Sequence, residues 1–373
     1  MPIRRFAVAR LRMPLSHPYT IAYETVVAAE NILVRVEDER GRAGFGVAAP
    51  DEAVTGESLG SAAEVLERLG RPHVCSSDPG RIARLASTLE RLAPEAPAAR
   101  AAIEMAVWDL LGKQAGMPLY RLLGGYRSRI LTSITIGISG LETTLIEARA
   151  RVAQGFRALK IKGGRDLDED IERLRKTREK VGPRIRLRFD ANQAYTADQT
   201  LVLIEHTKGV NLEVIEQPTP RHALRELRIL QRRSPVPVMA DESLLNLFDT
   251  FKVARGRLAD VVNVKLMKCG GIMSALQAIA VSQSSDIAVM IGCMDESELG
   301  IAAGLAVALA RPGVTAADLD GHIDLENDPA AGLLRLQNGM LSPSPAPGLG
   351  ITDAIEDRLE EAMGEAPLDL AAP

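Results

Sequence analysis

Lys160 and Lys162, in Leu159-Lys160-Ile161-Lys162-Gly163-Gly164, are the residues from which a chemistry can first be argued. In a strand, alternate side chains share a face. Leu159 and Ile161 then point one way, Lys160 and Lys162 the other. On a solvated edge strand the pair would be ordinary. On an inward face the two ammonium groups repel and desolvate each other. That is tolerated where strong negative charge lies nearby, or where one amine must be neutral near pH 7.

The negative charge comes later in the chain. Asp190, Glu216 and Asp241 each end a short β-rich run, and Lys265 ends the next. Three carboxylates gathered at one point repel, and their pKa values rise. A divalent cation resolves the conflict. With only oxygen ligands and no His or Cys among them, Mg²⁺ is the natural choice and Mn²⁺ a substitute. Lysines on both sides of such a cation suit the removal of a proton from one face of a carbon and its return on the other. A proton α to a carboxylate is very weakly acidic, so the charge left behind needs the cation. The base needs a pKa near about 7–8. The ammonium of Lys160, with burial, pushes Lys162 that way.

These residues need a scaffold that brings five run ends together. From about residue 130, β-rich runs alternate with helical ones. The strand candidates are 131–136, 158–162, 184–190, 212–216, 236–241, 261–265, 287–292 and 316–320. From the second onward their ends fall at 162, 190, 216, 241, 265, 292 and 320, in steps of 28, 26, 25, 24, 27 and 28. Steady spacing of this kind predicts repeated βα units and a parallel sheet. Eight units close into a barrel, whose chemistry sits at the C-terminal strand ends. A doubly wound open sheet is the rival, but the glycine-rich phosphate loop after its first strand is missing. Parity agrees with an inward Asp190: in Arg184-Ile185-Arg186-Leu187-Arg188-Phe189-Asp190 it shares a face with the arginines, and Leu187 and Phe189 take the other. Lys265 likewise shares a face with Asn263.

The rest of the chain reads as a cap. Residues 3–13, 31–37 and 44–47 predict an antiparallel meander, with polar loops at 17–24 and 50–56. Residues 57–125 read as helices, clearest over 98–116, where Ile103, Val107, Leu110 and Leu111 recur at helical spacing. An acidic run over 353–364 predicts a final helix. The 373 residues carry 46% apolar and 25% charged side chains and a net charge of −4. That is an ordinary globular composition, with no basic surface for nucleic acid. No apolar run reaches the roughly 18 residues that span a membrane. The N-terminus lacks the apolar core of a signal peptide, and Cys75, Cys269 and Cys293 form no metal or disulfide pattern. The expected home is a reducing cytoplasm.

The ordered set Lys160-Ile161-Lys162, Asp190-Ala191-Asn192, Glu216-Gln217-Pro218, Ala240-Asp241-Glu242-Ser243 and Asn263-Val264-Lys265 resembles the enolase superfamily, and within it the muconate lactonizing enzyme subgroup. The resemblance implies an α/β fold: a modified, enolase-like (β/α)8-type barrel with an α+β capping domain. It covers residues 1–125 as cap, 126–325 as barrel and 326–373 as a segment returning to the cap. It implies that Asp190, Glu216 and Asp241 bind one Mg²⁺ per subunit and that Lys162 and Lys265 are the acid/base pair. Lys160 would tune Lys162 and touch the substrate carboxylate. The family is usually homo-oligomeric.

Asp318-Leu319-Asp320 places two further carboxylates at the barrel mouth, where they suit a cation. The α-ammonium of a dipeptide is one, roughly 6–7 Å from the far end of two extended residues. An Asp-x-Asp here is similar to the dipeptide epimerases, typified by those acting on Ala-Glu. Thr135, on the first barrel strand, joins the substrate-binding candidates. In Ala-Glu epimerases the loop between the first two strands commonly supplies a basic residue to the acidic side chain; Glu24 stands in that place here. Asp295 and Glu298 add acids after the seventh strand, and Asp51 and Glu52 add them in the other capping loop. An acidic pocket repels glutamate and attracts lysine or arginine. The expected reaction is therefore epimerisation of dipeptides with cationic side chains, at the C-terminal residue, the N-terminal residue or both. An N-acylamino acid racemase or o-succinylbenzoate synthase is the alternative, and its substrates carry no free ammonium.

Overall fold

In the computed structural model of the protein, residues 1–365 are described. β1 (Ile3–Thr20), whose burial partly alternates, β2 (Thr25–Asp38) and the wholly buried β3 (Ala43–Ala48) form a three-stranded antiparallel sheet. The first half of the loop expected over 17–24, residues 17–20, is strand. After an irregularity between Pro14 and Tyr19, the ladder resumes with Tyr19 opposite Val26 and Thr20 opposite Thr25. Aromatic and β-branched residues suit a ladder, and the bulge absorbs His17 and Pro18. Only 21–24 turn, closed by Ile21 N–H donating to Glu24 O at 3.0 Å.

Helices α1 (Leu59–Leu69) and α3 (Pro97–Ala115) cover this sheet, and α2 (Ile82–Leu92) packs on α3. Helix α3 is buried nearly all round, as its apolar, alanine-rich sequence requires. Glu57 caps its start, accepting from Ala98 N at 2.7 Å and Ala99 N at 3.1 Å. The helix lies directly on β3 because Gly44 and Gly46 have no side chain. A Cβ on Gly46 would stand 2.1 Å from Ala102 O and 2.8 Å from Ala106 N. Both are backbone atoms, which cannot rotate away. Gly46→Ala is therefore expected to destabilise the protein by about 1–3 kcal/mol or more, read as a lower urea midpoint. An unchanged midpoint would show that sheet and helix separate freely.

After α4 (Leu119–Leu122) and the two-residue β4 (Ile130–Leu131) comes one parallel sheet. Its strands are β5 (Ile134–Ile136), β6 (Ala158–Lys162), β7 (Arg186–Asp190), β8 (Leu212–Glu216), β9 (Val238–Ala240), β10 (Val261–Lys265), β11 (Ala288–Gly292) and β12 (Val314–Asp318). They follow each other in chain order around the sheet. The parallel bridge Thr132–Ala317 and Ser133 N–H donating to Ala317 O at 3.2 Å bring the first and last edges together, so the barrel is nearly closed. Between the strands run α5 (Leu141–Ala153), α6 (Leu167–Val181), α7 (Ala197–His206), α8 (Leu224–Arg233), α9 (Leu247–Gly256), α10 (Leu266–Cys269), α11 (Ile272–Gln283) and α12 (Glu298–Ala310).

Inside the barrel, Arg188 is fully buried. It donates to Glu213 Oε2 at 2.7 Å, Ser133 Oγ at 3.0 Å and Ala317 O at 2.9 Å. Its charge is thus met below the mouth and leaves Asp190 to other partners. β13 (Leu334–Gln337) pairs with β14 (Met340–Pro343), which pairs back onto β4, and α13 (Asp353–Glu365) packs on β1. A buried carboxylate also ties cap to barrel: Glu104 of α3 accepts from Met273 N at 2.5 Å, in the first turn of α11. No described helix is long and apolar enough to cross a membrane.

Candidate active site

Register sets the site. Lys162 pairs with Asp190 and Asp190 with Glu216 across β6, β7 and β8, so their side chains leave the same side at one level. Asp241 follows β9 directly. Lys162 Nζ donates to Asp190 Oδ2 at 2.7 Å and to Asn192 Oδ1 at 3.0 Å. From the far side of the carboxylates, Lys265 Nζ lies 2.9 Å from Asp241 Oδ2. Lys160 bonds to Asp318, and stands 4.0 Å from both Asp190 and Glu216. Glu216 Oε1 accepts from Asn263 Nδ2 at 2.6 Å. Gln217 Oε1 accepts from Asp241 N at 2.9 Å and Ser243 N at 3.1 Å, which fixes the backbone that carries Asp241.

The site also contains a fourth lysine that the strand-end spacing does not pick out. Lys268, buried in the single turn α10, donates to Asp241 Oδ1, to Asp241 O at 2.6 Å and to Asn263 O at 3.1 Å. Its signal was a lysine three residues after Lys265 among Leu266, Met267 and Cys269. Asn192, Asn263 and Gln217 stand in the motifs but carry no role in the sequence reading.

The electrostatics are those of carboxylates in excess of what burial tolerates. Burial, reinforced by the charge of Asp190, pushes Glu216 up to about 8. Burial, with Asp241 beside it, pushes Glu242 up to about 7. Burial opposes the ionisation of Asp241 too, but the ammonium groups of Lys265 and Lys268 hold it far below the usual range. Burial would lower Lys160, yet Asp318, Glu216 and Asp190 raise it well above a normal lysine. Lys265 is raised in the same way by Asp241 and Glu216 against burial.

Among the described residues, no three acidic, His or Cys side chains enclose a cation as they stand. Asp190 is turned onto Lys162, and Asp241 onto Lys265 and Lys268. The donor set nonetheless fits a hard cation. Glu216 Oε2 is buried with no hydrogen-bond partner among the described residues, an arrangement that needs a compensating group. The two carboxylates at the same rim, Asp190 and Asp241, add only oxygen donors, as Mg²⁺ prefers.

Above these groups lies a cavity of about 790 Å³. Lys160, Lys162, Lys265, Thr135, Asp318, Asp320, Asp295, Glu24 and Asp51 all line it. Asp320 Oδ2 accepts from Thr135 N at 2.6 Å. Tyr19, at the end of the β1 arm, donates to both oxygens of Asp295, at 2.9 and 2.8 Å. Burial pushes Asp295 up to about 6 despite that bond. Asp51 Oδ1 accepts from Ala53 N and Val54 N in its own turn.

Three expectations need correction. Glu298 does not reach the cavity. It opens α12 and turns outward from the mouth to accept from Gly332 N at 2.8 Å and Leu334 N at 2.6 Å. Glu52 is exposed on the capping turn and does not line the cavity. Asp318 is not free to serve an outside cation alone: the ammonium of Lys160 and the hydroxyl of Ser133 (2.5 Å) already hold it. Those partners bring Asp318 down to about 2 against its burial.

Residues 144–357 match the family described as "Enolase C-terminal domain-like" and residues 4–124 match "Mandelate racemase / muconate lactonizing enzyme, N-terminal domain". The chain is 39% identical to the L-Lys-D/L-Arg epimerase of Methylococcus capsulatus, over 94% of this chain and 99% of that one. It is 37% identical to the hydrophobic dipeptide epimerase of Enterococcus faecalis, over 94% and 100%. Its fold matches the crystal structure of the Methylococcus capsulatus dipeptide epimerase complexed with Mg and L-Arg-D-Lys, with a TM-score of 0.89 at 39% identity and coverage of 94% and 99%. The substrate-liganded L-Ala-D/L-Glu epimerase of Bacillus subtilis superposes with a TM-score of 0.92 at 33% identity, covering 94% and 99%.

Proposed function

Because the chain belongs to the mandelate racemase/muconate lactonizing enzyme family of the enolase superfamily, we propose that it is a Mg²⁺-dependent dipeptide epimerase, an isomerase that inverts the α-carbon of the C-terminal residue and prefers dipeptides with lysine or arginine side chains. One observation carries this reading: Lys162 pairs with Asp190 and Lys265 with Asp241, so the two lysines stand at opposite ends of the row of three carboxylates. Asp190, Glu216 and Asp241 would hold the cation. Bound Mg²⁺ supplies a Lewis acid for the substrate carboxylate and positive charge that offsets the carboxylates raising Lys265.

One lysine, as the neutral amine, takes the α-proton from its face. The other, as ammonium, delivers a proton to the opposite face. The substrate gains and loses one proton, and the two lysines exchange protonation states. Lys160, fixed by Asp318, presents a constant positive charge beside the substrate carboxylate. Asp320 receives the α-ammonium, with Thr135 holding it in place. Glu24, Asp51 and Asp295 give the cavity wall its preference for cationic side chains. In this reading residues 1–125 and 326–365 form the cap and 126–325 carry the chemistry, in a cytoplasmic homo-oligomer, the expected segment's last residues, 366–373, lying outside the described residues; light scattering tests the assembly.

A dipeptide library incubated with enzyme and Mg²⁺ in deuterium oxide, read by mass spectrometry, tests the assignment. Dipeptides containing Lys or Arg are expected to gain label faster than Ala-Glu, by tenfold or more, about 1.4 kcal/mol. Equal rates would remove the charge argument. A second reading draws on the 30% identical N-succinyl-L-Arg/Lys racemase of Bacillus cereus: turnover of N-acylated substrates. It predicts that Asp320→Asn keeps activity on an N-succinyl amino acid, whereas the dipeptide reading predicts its loss on dipeptides.

A further inference from the structure

The cavity does not end above the lysines. Past Thr135 and Asp320 it continues as a groove along one face of α5, lined by Thr143, Ile146, Glu147, Ala150, Arg151 and Gln154. The β1 residues from Leu15 to Tyr19 and the loop residue Asp324 form the facing wall. At 1.5 Å per residue the helical wall runs about 16 Å, with Glu147 about 6 Å beyond Thr143.

We propose that this groove binds the side chain of the substrate's N-terminal residue, and that Glu147 selects a cationic side chain there. The proposal rests on the dipeptide reading, which puts the α-ammonium on Asp320. The N-terminal α-carbon is then one N–Cα bond, about 1.5 Å, from that end of the cavity. A lysine or arginine side chain leaving it extends roughly 6–7 Å at standard bond lengths, into the same cavity that Glu147 lines. Ile146 and Ala150 flank Glu147 and suit a methylene stem, in the way long cationic side chains bury their stems on apolar surface.

Charge makes the selection. Arg151 is claimed by Asp324, at 2.5 and 3.4 Å, and touches Glu147 only loosely, at 3.8 Å. His17 Nδ1 also faces Asp324, at 3.7 Å. Two carboxylates thus face one guanidinium. Glu147 is the under-partnered one, and its pKa is raised by burial. Glu24 and Asp51 sit elsewhere, near Tyr23, Glu242 and Lys265. They fall to the C-terminal side chain, so the two ends of the substrate meet separate acids.

The test compares Lys-Ala with norleucyl-Ala, and Ala-Lys with Ala-norleucine, on the Mg²⁺-loaded protein and on Glu147→Gln. Binding is measured by calorimetry and turnover by α-proton exchange. The wild-type preference for Lys-Ala over norleucyl-Ala is expected to be about five- to tenfold, as a partly exposed pair allows. In Glu147→Gln it collapses to near unity, chiefly through KM, and the preference between Ala-Lys and Ala-norleucine is retained. A Lys-Ala preference that survives Glu147→Gln overturns the assignment. So does an equal loss in both substrate orders, which would mark a general field effect. Failure of the epimerase reading looks different: no α-proton exchange with any dipeptide, while calorimetry still reports the charge preference and its loss in the variant.

Discussion

Lys265→Ala is expected to lower epimerisation by about 10³–10⁴-fold and yet to leave the α-proton of one substrate epimer exchanging with solvent. Lys162 still reaches its own face of the cavity, bonded to Asn192 and Asp190, and can remove the proton it faces and return it. Inversion stops because no acid stands on the other face. Lys162→Ala should give the mirror result, with exchange confined to the other epimer. Proton NMR in deuterium oxide on the L,L and L,D forms of one dipeptide reads both outcomes. Exchange from both epimers in either single variant would show that the two lysines do not divide the faces. The variant should stay folded, because Asp241 keeps its second ammonium, Lys268.

The barrel was legible because its period is local. A strand end every 24 to 28 residues fixes which side chains share a rim, and in-register pairing of Lys162, Asp190 and Glu216 then follows from a parallel sheet. What stayed hidden depends on contacts far apart in sequence. Asp318 reads as a free acid until β12 closes near β5 and β6 and meets Lys160. Glu298 reads as a mouth acid until the backbone at Gly332 and Leu334 arrives to claim it. The β1 arm reads as a loop because His17 and Pro18 interrupt its alternation, and only pairing with Thr25 and Val26 extends it. That extension matters, since it carries Tyr19 to Asp295. The groove along α5 left no motif at all: its acids and Arg151 come from a helix and a loop more than 170 residues apart.

Lys268 is where site and stability meet, and Lys268→Met is expected to destabilise the protein by about 3–5 kcal/mol, the range for removing one partner of a buried ion pair. The methionine roughly fills the volume but donates nothing. Asp241 Oδ1 and the carbonyls of Asp241 and Asn263 then lose a donor inside the protein. Lys265 still faces the other oxygen, so the loss should fall at the lower end of that range. If the uncompensated charge is the cause, Asp241→Asn added to Lys268→Met recovers part of the loss, and a double-mutant cycle in urea gives a coupling of about 1–3 kcal/mol. A Lys268→Met protein as stable as wild type, or a cycle with no coupling, would mean that Asp241 is held by its backbone and Gln217 alone. Calorimetric titration with Mg²⁺ separates the two roles: a positioning lysine predicts weaker binding even where the variant is fully folded, because Asp241 is no longer held in place beside Glu216.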